Sequence, residues 1–283
     1  VTLAQVIESP GELRRLLGDQ RPGLVPTMGA LHDGHLELIR RSAAENAITV
    51  VSIFVNPLQF NQEADLAAYP RTFERDRELA TAAGATIVFA PTESTLYPDG
   101  FSTTVTVRGL TDRWEGAARP GHFAGVTTVV TKLFTIVLPA RSYFGEKDFQ
   151  QLAVIRRLHA DLNLSGEVIG VPTVRDADGL ALSSRNVRLS SEERRQAAAI
   201  PRALFAMQAA AASGEGSSSA LIDLGRAVLA EEPDLVCEYL AVVDPATLEP
   251  IDDVFACGRV LLTVRAGQTR LLDNVAIKAT NAR

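Results

Sequence analysis

His32 and His35 stand three residues apart with Gly34 between them, in the stretch Val25-Pro26-Thr27-Met28-Gly29-Ala30-Leu31-His32-Asp33-Gly34-His35. At a helix start that spacing brings both imidazoles to one side, and the open N–H groups there favour anions. Gly34 leaves room for a base or sugar between the rings and the backbone. Two imidazole donors so placed can hold a polyphosphate while negative charge moves onto leaving pyrophosphate. Helix capping by the histidines and metal binding are the competing readings. Zinc needs further ligands, and the other histidines, His122 and His159, fall in no ligand-spaced cluster.

Three more stretches carry polar groups where a sheet edge should meet ligand. In Ser52-Ile53-Phe54-Val55-Asn56-Pro57-Leu58-Gln59-Phe60, Pro57 stops a buried strand. The Gln59 amide, set between apolar neighbours, could read a hydroxyl or carboxylate; an ordinary turn capped by Asn56 is the alternative. In Phe144-Gly145-Glu146-Lys147-Asp148-Phe149-Gln150-Gln151, Lys147 lies at a helix start, where the dipole already favours an anion. Asp148 can accept from ribose hydroxyls, and Gln151 lies one turn further on the same side. A surface capping box with a solvated lysine would look alike. Asp178-Gly179-Leu180-Ala181-Leu182-Ser183-Ser184-Arg185-Asn186 offers two hydroxyls and a guanidinium, either a phosphate grip or a polar linker.

These stretches need elements to hold them. Strand-like runs at Gly23 to Thr27, Ile48 to Val55, Thr86 to Ala90, Arg141 to Phe144 and Glu167 to Val171 alternate with helical periodicity. The helices fall at Pro10 to Leu17 with Ser9 as N-cap, Gly34 to Asn46, Thr72 to Ala83, Gly125 to Leu138 and Asp148 to Asp161. That order predicts an α/β fold with a doubly wound parallel sheet. After about Val174 the alternation stops. Helices at Ser191 to Ala212, capped by Ser190, and at Ala220 to Glu231 flank a flexible link at Gly214 to Ser219. Strands at Val236 to Val243, Arg259 to Val264 and Thr269 to Ile277 follow, which predicts a smaller C-terminal α+β domain. The expected division is 1–174 and 175–283.

The composition narrows the class. The chain has 283 residues, 46% hydrophobic and 22% charged, which excludes extensive disorder. The net charge of −6, with no basic stripe, excludes a nucleic-acid partner. No apolar run reaches membrane-spanning length, and Val1 to Pro10 resembles no secretory signal, so a cytoplasmic protein is expected. Only three of the 28 basic residues are lysines, which singles out Lys132, Lys147 and Lys278. Cys237 and Cys257 lie in apolar strand-like segments and are expected to be buried thiols.

With these stretches in this order, the chain resembles the pantothenate synthetase (pantoate–β-alanine ligase) family. PTMGALHDGH, SIFVNPLQF, AYPRT, RPGHFAGV, FGEKDFQQL, DGLALSSRN and TRLLDN stand in family order from about Val25 to Ile277. Together they are far more specific than the HxGH pattern that many nucleotidyltransferases share. The resemblance implies a Rossmann-like domain over 1–174 that binds ATP and pantoate, and a lid domain over 175–283. It implies ATP and Mg²⁺, a pantoyl adenylate, and a homodimer.

The resemblance also implies roles for residues. His32, His35, Lys147 and Arg185 serve the chemistry at the phosphates. ATP contacts come further from Met28, Gly29, Ala30, Leu31, Asp33, Gly34, Gly145, Glu146, Asp148, Val174, Leu182, Ser183 and Ser184. Pantoate is held by Gln59, Gln151, Met28, Val129 and Val130, and β-alanine by Gln59 and Asn56. Metal ligands are not specified. Phe149 and Leu182 stand where the family often has Tyr and Met, which should change packing rather than chemistry. The stretch Asn61 to Tyr69 is long enough for a mobile gate. The rivals are an HxGH nucleotidyltransferase with a phosphate or mononucleotide acceptor, and a catalytically silent ATP sensor. The acceptor side offers amides and apolar groups rather than several bases, which suits a small branched hydroxy acid.

Overall fold

The computed structural model describes residues 3–280. The first part of the chain forms β1 (Gln5–Ile7), α1 (Pro10–Leu17), β2 (Gly23–Thr27), α2 (Asp33–Glu45), β3 (Thr49–Ile53), α3 (Glu63–Ala67) and α4 (Phe73–Ala82). It continues through β4 (Ile87–Phe89), α5 (Glu93–Leu96), α6 (Glu115–Ala118), α7 (His122–Val137), β5 (Arg141–Gly145), α8 (Phe149–Asp161) and β6 (Glu167–Val171). The remainder forms α9 (Ser191–Ala197), α10 (Ala199–Ala212), α11 (Ser218–Leu229), β7 (Leu235–Val243), β8 (Gly258–Ala266) and β9 (Thr269–Ile277).

The first six strands make one parallel sheet in the order β1-β4-β3-β2-β5-β6. Successive side chains on a strand point to opposite faces, and both faces here are apolar. Leu24, Val50 and Ile87 pack with Val126, Phe134 and Leu152. Their neighbours Val25, Val51 and Val88 pack with Leu36, Ile39 and Ala80. Burial on both faces is why these strands read as unbroken apolar runs. The expected doubly wound α/β architecture is the one observed.

The strand order reverses between β2 and β5. β2 pairs with β3 over five residues, but with β5 only at Gly23–Arg141 and Leu24–Ser142. The C-terminal halves of β2 and β5 therefore part, at the point where open α/β sheets bind ligands. The histidine stretch leaves β2 there, and Gly145 ends β5.

The last three strands form a separate antiparallel sheet in the order β7-β8-β9, the expected α+β arrangement. Its core joins Val242, Val260, Leu262 and Val275 to Ile200, Leu204, Met207 and Leu221. Spatially the chain divides into Val1–Glu146 with Gln150–Pro172, and Lys147–Phe149 with Thr173–Arg283. The three-residue segment at Lys147 thus groups with the second unit.

Several local expectations are corrected. β1 carried no sequence signal; at three residues it is too short for a period to show. Ser9 precedes α1 but makes no side-chain cap, whereas Ser190 caps α9 in a box with Glu193. The single helix expected from Ser191 to Ala212 breaks at Ala198, because Pro201 has no N–H for the Ala197 carbonyl. The link at Gly214 to Ser219 is largely structured: Ser217 caps α11, which begins at Ser218. The stretch Asn61 to Tyr69 contains α3. Both cysteines are exposed, not buried. Cys237 lies on edge strand β7 beside a register shift, and Cys257 precedes β8.

Candidate active site

α2 begins with a capping box made of histidines. His32 is the N-cap; its Nδ1 accepts from the Gly34 N–H at 3.2 Å, and the His35 Nδ1 accepts from the His32 N–H at 3.4 Å. A neutral imidazole whose Nδ1 accepts carries its proton on Nε2. The two caps therefore set the same tautomer in both rings, with Nε2–H as the donor. The ring centroids are 4.1 Å apart and tilted by 41°. Capping and phosphate binding, separate readings at the level of sequence, are compatible because they use opposite nitrogens. Gly34 serves the ring as well: a Cβ there would lie 2.9 Å from His32 Cε1, closer than carbon atoms pack.

The loop before α2 is held from a distance. Asp76 on α4 is 1% exposed. It accepts from the Ala30 N–H at 2.9 Å and the Leu31 N–H at 2.8 Å. Gly29 and Ala30 have φ of 82° and 50°, a region costly for a residue with a Cβ, so Asp76 offsets strain in the backbone that delivers His32. The Gly29 N–H donates to Thr27 Oγ1 at 3.2 Å. The amides of Gly29, Ala30 and Leu31 are thus engaged internally. At the far end of α2, the fully buried Tyr143 on β5 donates to Glu45 Oε2 and accepts from Asn46 Nδ2, both at 2.7 Å. Burial and the Glu45 hydrogen bond push the Tyr143 phenol up to about 12. The Tyr143 hydrogen bond, with Arg41, holds the Glu45 carboxyl below its usual range.

Asn56 and Gln59 meet in the 3-10 turn Pro57–Gln59. Asn56 is 1% exposed with its amide fully used. Nδ2 donates to Gln59 Oε1 at 3.0 Å and to the Gly125 carbonyl at 3.1 Å. Oδ1 accepts from the Leu58 N–H and from the Tyr97 hydroxyl. Burial, with Glu93 nearby, drives the Tyr97 phenol well above its ordinary range, so it remains a donor. The Gln59 oxygen being taken by Asn56, its amide nitrogen is left as the donor end. The Gln59 main-chain carbonyl accepts from Arg119 Nη2 at 3.2 Å and lies 2.8 Å from His122 Nδ1. Arg119 and His122, in the RPGHFAGV stretch, received no role from sequence. Val129 and Val130 on α7 are buried in the core. Gln151 is half-buried, while Gln150 donates to the Leu110 and Arg113 carbonyls and accepts from the Glu115 N–H.

In the second unit the DGLALSSRN stretch folds back on itself. Asp176 and Leu180 close a turn with Gly179 at φ 89°, and the Leu182 N–H donates to the Val174 carbonyl at 2.9 Å. Val174, Leu182 and Ser183 are thereby gathered. A small cleft is lined by Lys147, Ser183, Arg185, Asn186, Arg270 and Asp273, among others. It has basic groups, the Ser183 hydroxyl and a buried acceptor, Asn186 Oδ1, that lacks a partner. Such an acceptor marks a place for a ligand or water donor. Sequence reasoning missed Asn186 and Arg270 as site residues, although both stand in the motifs that carry the family resemblance.

Open parallel sheets take ligands where the strand order reverses, and here that point carries the histidine pair. The fold is that of an open, doubly wound α/β enzyme. Similarity to known proteins narrows the class. The profile of the family described as Pantoate-beta-alanine ligase matches residues 5–276. A pantothenate synthetase of Deinococcus radiodurans is 55% identical over 263 residues, 91% of this chain and 94% of that one. A crystal structure of pantothenate synthetase from Thermus thermophilus has a TM-score of 0.92 at 50% identity, covering 96% of this chain and 98% of that one. A Francisella tularensis pantoate–β-alanine ligase, described as complexed with β-γ ATP and β-alanine, has a TM-score of 0.79 at 31% identity, covering 96% and 97%. This chain belongs to the pantoate–β-alanine ligase family, and it is a ligase of pantothenate biosynthesis.

Proposed function

We propose that the enzyme joins D-pantoate to β-alanine through a pantoyl adenylate. In the first step a pantoate carboxylate oxygen attacks the α-phosphorus of ATP, and the bond to the β-phosphate oxygen breaks to release pyrophosphate. In the second, the β-alanine amine attacks the acyl carbon; AMP leaves with the former carboxylate oxygen, and the amine gives up a proton. The observation that carries this reading is the double capping of α2, which sets His32 and His35 as paired Nε2–H donors. Such donors offset charge on pyrophosphate without having to transfer a proton.

The remaining roles are those that the family resemblance suggests. Lys147, Ser183, Ser184 and Arg185 take phosphate oxygens. Gly145, Glu146, Asp148, Val174 and Leu182 line the adenosine, with the chain from Met28 to Gly34. Gln59 and Gln151 hold pantoate by its hydroxyl and carboxylate, and Met28, Val129 and Val130 lie along its methyl groups. Gln59 also meets β-alanine, with Asn56 orienting its amide. Among the described residues no group of three His, Cys, Asp or Glu could hold a metal ion. The family resemblance implies Mg²⁺, which would be carried on phosphate oxygens and water and would offset charge on the leaving group. Among the described residues no helix is long and apolar enough to cross a membrane. By the family resemblance we propose a cytoplasmic homodimer, for which light scattering tests the mass.

The experiment is a burst with carboxylate-¹⁸O pantoate. Enzyme, Mg·ATP and pantoate without β-alanine should give about one pyrophosphate per site. β-alanine should then release pantothenate together with ¹⁸O-labelled AMP. Unlabelled AMP, or a pantoyl group on the protein by intact mass, would overturn the mechanism.

A further inference from the structure

The chemistry above gives the TRLLDN stretch no task, and its buried polar residues lead to Lys147. Asn274 on β9 is 3% exposed. Its Nδ2 donates to the Lys147 main-chain carbonyl at 2.8 Å. Arg259 on β8, 9% exposed, donates Nε to Asn274 Oδ1 at 2.6 Å. An amide held at its oxygen by a guanidinium has one orientation, because a flip would set its NH₂ against a cation. The Asn274 nitrogen is thereby aimed at Lys147. The same guanidinium carbon lies 4.0 Å from the centroid of the Phe149 ring, a close cation–π contact. Main chain at 147 and ring at 149 are thus both gripped by the antiparallel sheet.

The anchor is itself anchored. Asp273, 3% exposed, accepts from the Asn274 N–H at 2.7 Å. Its two oxygens take the fork of Arg175 at 2.6 and 2.9 Å. A bidentate, buried pair of this kind has a narrow range of geometry. These contacts account for the grouping of Lys147–Phe149 with the second unit, although the residues on either side of them group with the first.

We infer that Asn274, oriented by Arg259, is a positioning residue that sets the main chain of Lys147 and thereby its ammonium for phosphate. This rests on the reading that Lys147 serves the phosphates, and a double-mutant cycle separates the two. Asn274→Asp keeps the size and the acceptor for Arg259 but puts an oxygen against the Lys147 carbonyl. Misplacement by ~1 Å costs up to ~100-fold in rate. In single-turnover pyrophosphate release, Asn274→Asp should slow adenylation about 30-fold in the wild-type background and less than about twofold in Lys147→Ala. The KM for pantoate should stay within about twofold in both. Equal slowing in both backgrounds, or none in the wild type, overturns the inference while leaving the role of Lys147 intact. A wild-type rate in Lys147→Ala overturns the underlying reading and the inference with it. Should Asn274→Asp fail to fold, Arg259→Gln, which frees the Asn274 oxygen, carries the same cycle, and the same results support or overturn the inference.

Discussion

Replacing Asp76 should slow chemistry at a histidine pair it does not touch. The carboxylate is 1% exposed and accepts from the Ala30 and Leu31 amides and from the Thr72 hydroxyl. Asp76→Asn retains one acceptor oxygen and turns an NH₂ toward the other amide. One buried N–H loses its partner, which costs ~2 kcal/mol. For a domain of this size that lowers Tm by ~4–8 °C. The effect on rate is larger in proportion. Ala30 sits at φ 50° and Gly29 at 82°, and relaxation of either shifts the start of α2 and His32 with it. A displacement of ~1 Å there should slow adenylation ~10–100-fold. The assay is single-turnover pyrophosphate release well below the melting transition, paired with calorimetry. A lowered Tm with an unchanged rate would show that Asp76 supports the fold without positioning His32. An unchanged Tm would refute the hydrogen-bond argument itself.

Gly34→Ala should strengthen α2 by up to ~1 kcal/mol through helix propensity yet slow adenylation ~100-fold. The new Cβ would lie 2.9 Å from His32 Cε1 and 3.0 Å from Nδ1; a wild-type rate would show that the ring does not need that space. Gln59→Leu should lose most of the preference for pantoate over its deoxy analogue, ~1–3 kcal/mol, and a retained preference would remove Gln59 from the substrate. Tyr143→Phe should cost ~1 kcal/mol at neutral pH. Because the Glu45 carboxyl is held below its ordinary value of 4.5 by Tyr143 and then Arg41, that contribution is present above pH 4.5 and fades as pH falls through the lowered pKa. In urea melts from pH 7 to pH 3 the gap between the two proteins should narrow to what the Asn46 hydrogen bond contributes; a constant gap would disprove the linkage.

The sequence alone determined the elements with a sustained period and the pairing of His32 with His35 at the start of α2. Strands Glu167–Val171 and Thr269–Ile277 lie where periodicity put them, since alternation along a short stretch already states which faces are apolar. The His32–Gly34–His35 spacing named its residues for the same reason: a cap is closed within one turn of helix. The tertiary structure alone decided how those groups are held. The amides before His32 find Asp76 about 45 residues away. The carbonyl of Lys147 finds Asn274 127 residues away. The exposure of Cys237 and Cys257, in segments that read as buried, followed from β7 being an edge strand and from where the chain enters β8. A buried donor must have an acceptor, but local sequence does not state which of the distant side chains will supply it. That choice belongs to the order of strands in the sheets, which brings together residues with no common local pattern.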